Sequence, residues 1–117
     1  MLMPVSTKIR STLLNTLKTS INSMVLGFDG TPATNDDGSA GRPAITLTPI
    51  VTVVDDTTLL VEASLPIANS FTDTIKEVVL LSKDSNGVFS CIARYNTKPI
   101  VKTTQNEVKI EISIEVI

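Results

Sequence analysis

The sequence predicts a mainly β protein, an antiparallel β-sandwich or half-barrel of about five strands with one N-terminal amphipathic helix. Apolar residues near the N-terminus recur at helical spacing, the pattern changes to a two-residue alternation after Pro43, and Asn86-Gly87 forms a hairpin signal. A length of 117 residues with 42% hydrophobic residues fits a single domain with a buried core. We divide it into an N-terminal helical arm (1–26), a turn-rich loop (27–43) and an antiparallel β-domain (44–117).

The helix is predicted from Ser6 to Leu26, where apolar residues lie three or four positions apart, with Gly27 after its end. Amphipathic helices usually pack on their own domain, and the alternative is that this helix docks on a neighbouring subunit. The candidate subunit contact consists of Leu13, Leu17, Ile21 and Met24.

The loop that follows is rich in Gly, Pro, Asn and Asp, which are turn-forming residues. A calcium-binding EF-hand needs oxygen ligands at alternate positions and a Glu at the twelfth. Asn35, Asp37 and Gly38 do not fit that register, and no Glu occurs before Glu62. We therefore interpret the acidic residues of this loop as turn formers.

Alternating apolar and polar residues predict the strands of the β-domain. Pro49 cannot donate a ladder hydrogen bond, so its strand is expected at a sheet edge or with a bulge. The predicted strands are 44–54, 59–65, 75–83, 88–95 and 108–117, with a connector at 97–105 that contains Lys98-Pro99.

Glu77 is a charged residue in the inward phase of the third strand, together with Ile75, Val79 and Leu81. A buried carboxylate needs a partner. Arg94 lies on the strand expected to pair with it, so Glu77 and Arg94 are predicted to form a structural ion pair.

Composition argues against catalysis and against several classes of ligand. The chain has no His, and its single cysteine, Cys91, has no predicted base beside it and cannot form an intrachain disulfide. The net charge of −2 provides no basic surface for nucleic acid or an anionic membrane. We expect no enzymatic activity, no cofactor, no metal site, no nucleic-acid or membrane partner, and synthesis in the cytoplasm without a signal peptide or transmembrane segment.

Several stretches resemble small structural proteins of tailed bacteriophages. They are Leu26-Gly27-Phe28-Asp29-Gly30-Thr31-Pro32, Ile75-Lys76-Glu77-Val78-Val79-Leu80-Leu81, the Asn-Gly hairpin with Ile92-Ala93-Arg94-Tyr95, Lys98-Pro99-Ile100-Val101-Lys102, and the alternating tail 107–117. The resemblance runs from about Val25 to the end of the chain. One departure is Val79, which occupies a position where Gly is more usual.

The resemblance implies a structural subunit of the virion, in the tail, collar, baseplate or fibre attachment, that has no enzymatic activity. Its expected partners are further copies of itself and neighbouring virion proteins, contacted through the helix and the β-edges. The alternative is a receptor- or carbohydrate-binding module at a fibre tip. Sugar sites usually use aromatic platforms, and this chain has one Tyr and no Trp.

Overall fold

The structure, a computed structural model, describes residues 6–32, 41 and 43–115 and is mainly β. One helix, α1 (Thr7–Ser20), precedes two antiparallel sheets that form a sandwich. The strands are β1 (Ser23–Gly27), β2 (Pro43–Leu47), β3 (Ile50–Val53), β4 (Thr58–Leu65), β5 (Asp73–Lys83), β6 (Phe89–Lys102) and β7 (Val108–Glu115). The four-stranded sheet has the order β2-β1-β5-β6, and the three-stranded sheet has the order β3-β4-β7. The predicted fold class is confirmed, with seven strands in the described residues instead of about five.

Helix α1 packs on its own sandwich. The side chain of Ser6 caps its first turn by accepting a 3.3 Å hydrogen bond from the backbone N–H of Ile9. The helix contacts β3 and β4 of one sheet and β5 of the other, so it covers one end of the sandwich. Leu14 is buried, whereas its neighbour Leu13 is 46% exposed.

The helix ends earlier than predicted. Helical spacing suggested that it continues to Leu26, but it stops at Ser20, and Ser23–Gly27 is the strand β1, paired on both sides with β2 and β5. The run Met24-Val25-Leu26 is apolar at every position, as in a strand that is buried on both faces. A short run of this kind matches helical and strand periodicity equally well.

The strand predicted from Ala44 to Val54 is interrupted at Thr48-Pro49. Its first half, β2, is an edge of the four-stranded sheet, and its second half, β3, is an edge of the three-stranded sheet. The expectation that Pro49 marks a sheet edge is confirmed, because the chain crosses between the two sheets at this proline.

The Asn86-Gly87 signal marks the β5–β6 hairpin. Gly87 has a φ of +81°, and the Asp84 carboxylate accepts hydrogen bonds from the backbone N–H groups of Asn86 and Val88. β6 is longer than predicted, because residues 97–99 of the expected connector bulge out opposite Lys76 and pairing resumes at Ile100. Pro99 lies in this bulge on an edge strand, where its missing N–H does not interrupt a ladder.

The core lies between the two sheets. Its buried residues are Ile21, Met24, Leu26, Val61, Leu65, Ile75, Val78, Leu80, Val108 and Ile110. Three of them come from the segment predicted as a separate arm, so the predicted boundary at residue 26 is wrong: β1 belongs to the β-domain. Within the described ranges, no helix has the length and apolar character needed to cross a membrane.

Candidate functional site

The predicted pair of Glu77 and Arg94 is present, but it lies on the opposite face of the sheet from the one expected. The pairing of β5 with β6 shifts register between Ile75 and Glu77. Ile75 therefore shares the inter-sheet core with Val78 and Leu80, whereas Glu77 faces away from that core. Strict alternation had placed Glu77 on the same face as Ile75, and the bulge reverses that assignment.

Glu77 is completely buried, although it faces away from the core, and it is bound there by Asp29 and Gly41 of the turn-rich segment. Its carboxylate accepts hydrogen bonds from the backbone N–H of Asp29 at 2.7 Å and of Gly41 at 2.8 Å. The Nε of Arg94 donates a third hydrogen bond, at 3.0 Å. One carboxylate therefore holds both ends of the loop between β1 and β2.

Arg94 extends the same network along β6. Its Nη1 donates to the carbonyl of Thr31 at 2.9 Å, and its Nη2 donates to the carbonyl of Asp29 at 3.1 Å. The carboxylate of Asp29 lies 3.8 Å from Nη2. Asn96, opposite Glu77 in the ladder, donates to the Thr31 carbonyl at 2.7 Å. We call these residues, with Gly41, the loop anchor.

The backbone at Gly41 lies close to the side chain of Asp29. A Cβ at this position would overlap the side chain of Asp29, including its carboxylate. No sequence pattern indicates the roles of Asp29, Gly41 and Asn96, because each role depends on the bulge that turns Glu77 toward the loop. The loop residues Asn35, Asp37 and Gly38, considered above for calcium binding, lie outside the described residues.

The candidate subunit contact on the helix is only partly available. Ile21 and Met24 are buried in the core of their own domain, and Leu17 packs against that core. Only Leu13 of the four is exposed. The prediction that these residues form one contact surface is therefore wrong for Ile21 and Met24, because the helix docks on its own sheets and ends before Met24.

The side of the sandwich at β6 and β7 is open. A cleft of about 370 Å³ lies between the sheets there, lined by Val78, Tyr95, Ile100, Ile110 and Ile112 among others. Partial burial in the cleft raises the pKa of the Tyr95 phenol above 10.0. β6 and β7 are the terminal strands of their sheets, so each has one edge without a strand partner among the described residues.

The outer face of β7 carries a small charge cluster. The ammonium group of Lys109 lies 3.2 Å from the Glu111 carboxylate and 3.5 Å from that of Glu62 on β4. The hydrogen bond to Glu111, followed by the charges of both carboxylates, raises the pKa of Lys109 above 10.5. Lys109 and Glu111 are each more than half exposed, so both remain accessible to a partner.

No group of three or more His, Cys, Asp or Glu residues in the described part of the chain is arranged to hold a metal ion. No protein-family model matches the sequence, and no match is found among curated proteins.

Proposed function

We propose that this protein is a structural component of a tailed-phage virion that assembles through its β-edges. The observation that carries the proposal is the outer edge of β7, an eight-residue strand that ends its sheet without a bulge and has no strand partner on that edge among the described residues. An edge of this kind exposes unpaired backbone donors and acceptors and is a template for another strand. The motifs that resemble phage structural proteins cover the same β-domain.

Exposed aliphatic side chains on other edge strands support the same function. Ile50 on β3 is 69% exposed, and Val101 on β6 is 56% exposed. Side chains of this kind on strand edges suit contacts with further subunits. The helix contributes less than the sequence suggested, because Leu14 and Leu17 already pack within the domain and only Ile9 and Leu13 of its large apolar residues are exposed.

The loop anchor also suits a structural role. Buried ion pairs that accept several backbone hydrogen bonds hold a segment in one conformation. Here the network fixes both ends of the loop on the outer face of the four-stranded sheet. A rigid outer surface is what neighbouring virion proteins would contact.

The alternative, a carbohydrate-binding module, has one observation in its favour. Phe28 lines a depression of about 500 Å³ together with Asp73, Thr74 and Lys76. An aromatic ring beside polar groups is the combination that sugar sites use. Phe71 stacks on Phe28, with 6.2 Å between the ring centroids, and so already occupies one face of the Phe28 ring.

The test is to locate the protein in purified phage particles. Particles from a culture carrying the gene are separated on a density gradient, and gold-labelled antibodies against the chain are imaged by electron microscopy. We expect labelling at the tail, collar or baseplate, and gene deletion should remove that part or block assembly. Absence of the chain from purified particles would refute the proposal. Glycan binding that is lost in Phe28→Ala, with labelling confined to fibre tips, would favour the alternative.

A further inference from the structure

Three of the four sheet edges are protected against pairing with another chain. β2 and β3 have five and four residues, β2 begins at Pro43, and Pro49 immediately precedes β3. β6 carries two register shifts and contains Pro99. Short strands, prolines and bulges are among the features by which natural sheets prevent edge pairing, as are charged side chains.

β7 is neither short nor interrupted by a proline or a bulge, and the protective feature that it does carry is its charged outer face, with Lys109, Glu111 and Glu115. Its eight residues pair with β4 in an unbroken register, from Leu65 opposite Val108 to Thr58 opposite Glu115. The strand contains neither Pro nor Gly, and its inner face is entirely aliphatic. Ile112 and Ile114 on that face are only partly buried, and Ile112 lines the open cleft. Another strand alongside β7 would cover them.

The charges of β7 are complementary to those of a second β7 that runs in the opposite direction. When Ile110 lies opposite Ile110 of a second copy, Lys109 lies opposite Glu111 of that copy, and Glu111 lies opposite its Lys109. Val108 then faces Ile112 across the inner side. A shift of the two strands by two residues relative to each other, in one direction or the other, instead places Lys109 opposite Lys109 or Glu111 opposite Glu111, which is unfavourable.

We propose that a second copy of this chain pairs antiparallel along β7 about a two-fold axis at Ile110. The product is a continuous six-stranded sheet, β3-β4-β7-β7-β4-β3. A two-fold contact is self-complementary, so one surface supplies both halves. The β7 dimer rests on the edge-mediated assembly proposed above, and it specifies a second copy of the chain as the partner.

Charge reversal tests the register. Lys109→Glu places Glu opposite Glu111 at two symmetric positions, and Glu111→Lys places Lys opposite Lys109 twice. Because both cross-strand pairs change from attractive to repulsive, each single variant should dimerise about fourfold to several-hundredfold more weakly. The double variant Lys109→Glu/Glu111→Lys restores opposite charges and should dimerise within about threefold of the wild type.

Glu115→Lys is the matched control, because Glu115 lies on the same face of β7 but opposite no charged β7 residue in this register. Sedimentation velocity across a wide protein concentration range gives the dimer dissociation constant, and circular dichroism confirms that each variant is folded. We expect a wild-type dimer, weakening in both single variants, recovery in the double variant and no change in the control.

A wild-type chain that stays monomeric, or a double variant weakened as much as its parents, overturns the proposal. So does weakening by Glu115→Lys without weakening by Glu111→Lys, which indicates a register with Lys109 opposite Glu115. A monomer that is nevertheless found in purified particles refutes only the β7 dimer. A dimer that is absent from particles refutes only the virion role.

Discussion

Removal of the Glu77 carboxylate should destabilise the protein far more than removal of an exposed acid. Glu77→Ala leaves the guanidinium of Arg94, whose side chain is 4% exposed, without its carboxylate partner on β5. Breaking a buried ion pair in this way costs about 3–5 kcal/mol. The substitution also removes the acceptor from the N–H groups of Asp29 and Gly41, and the loop can recover part of that loss by lifting toward water.

A domain of this size has a free energy of unfolding of about 5–15 kcal/mol, so the variant is expected to remain measurably folded. Urea denaturation of the wild type and of Glu77→Ala gives the difference. Asp56→Ala is the control, because Asp56 forms a 3.6 Å ion pair with Arg10 and is 55% exposed. Pairs of that kind contribute about 0–1 kcal/mol.

Arg94→Ala and the double variant Glu77→Ala/Arg94→Ala complete a double-mutant cycle with Glu77→Ala and the wild type. The double variant should cost less than the two single variants added together, because it removes both members of the Glu77–Arg94 ion pair at once. Amide hydrogen exchange at Asp29 and Gly41 should accelerate in Glu77→Ala more than in Arg94→Ala, in which the carboxylate still accepts from both amides. Unfolding free energies for both single variants within about 1 kcal/mol of wild type would refute the account of the loop anchor.

Three further predictions concern packing, the close loop contact and pH. Leu14→Ala should cost about 2–5 kcal/mol in denaturant melts, and Leu13→Ala under about 1 kcal/mol, because only the first side chain is buried. Gly41→Ala should destabilise by about 1–3 kcal/mol, because its Cβ overlaps a neighbouring side chain, whereas Gly30→Ala, with only ordinary contacts, should be near neutral. Hydrogen bonds from the threonine two residues later lower the pKa of Asp55 below 3.8. Its contribution is therefore present above about pH 3.8 and lost as the pH falls through the folded-state value, so the stability difference between wild type and Asp55→Asn should shrink in acid.

The elements that the sequence predicted well are those fixed by local chemistry. The Asn86-Gly87 turn requires a positive φ that Gly supplies, and the strict alternation from Val108 onward is compatible with only one face being buried. Pro49 correctly indicated a sheet edge. In each case a few neighbouring residues decide the conformation.

The sequence predictions were wrong where pairing between distant segments determines the structure. Whether Met24-Val25-Leu26 continues a helix or forms a strand depends on β5, which the chain reaches much later. The sequence predicts the pair of Glu77 and Arg94 but not the loop residues that bind it. The irregularity in the β5–β6 pairing next to Glu77 determines the face of the sheet on which Glu77 lies. The periodicity of a sequence does not encode a bulge of this kind.

The position of β1 has a consequence for the order of folding. β1 occupies the middle of the four-stranded sheet, yet its partner β5 follows only after β2, β3 and β4. During synthesis the centre of that sheet therefore cannot close until the β5–β6 hairpin has left the ribosome. Pairings between distant segments slow folding toward the millisecond-to-second range typical of β-sandwiches. Until then β1 exposes the three consecutive apolar side chains of Met24, Val25 and Leu26. This segment of the nascent chain is therefore prone to aggregation, although it is buried in the folded protein.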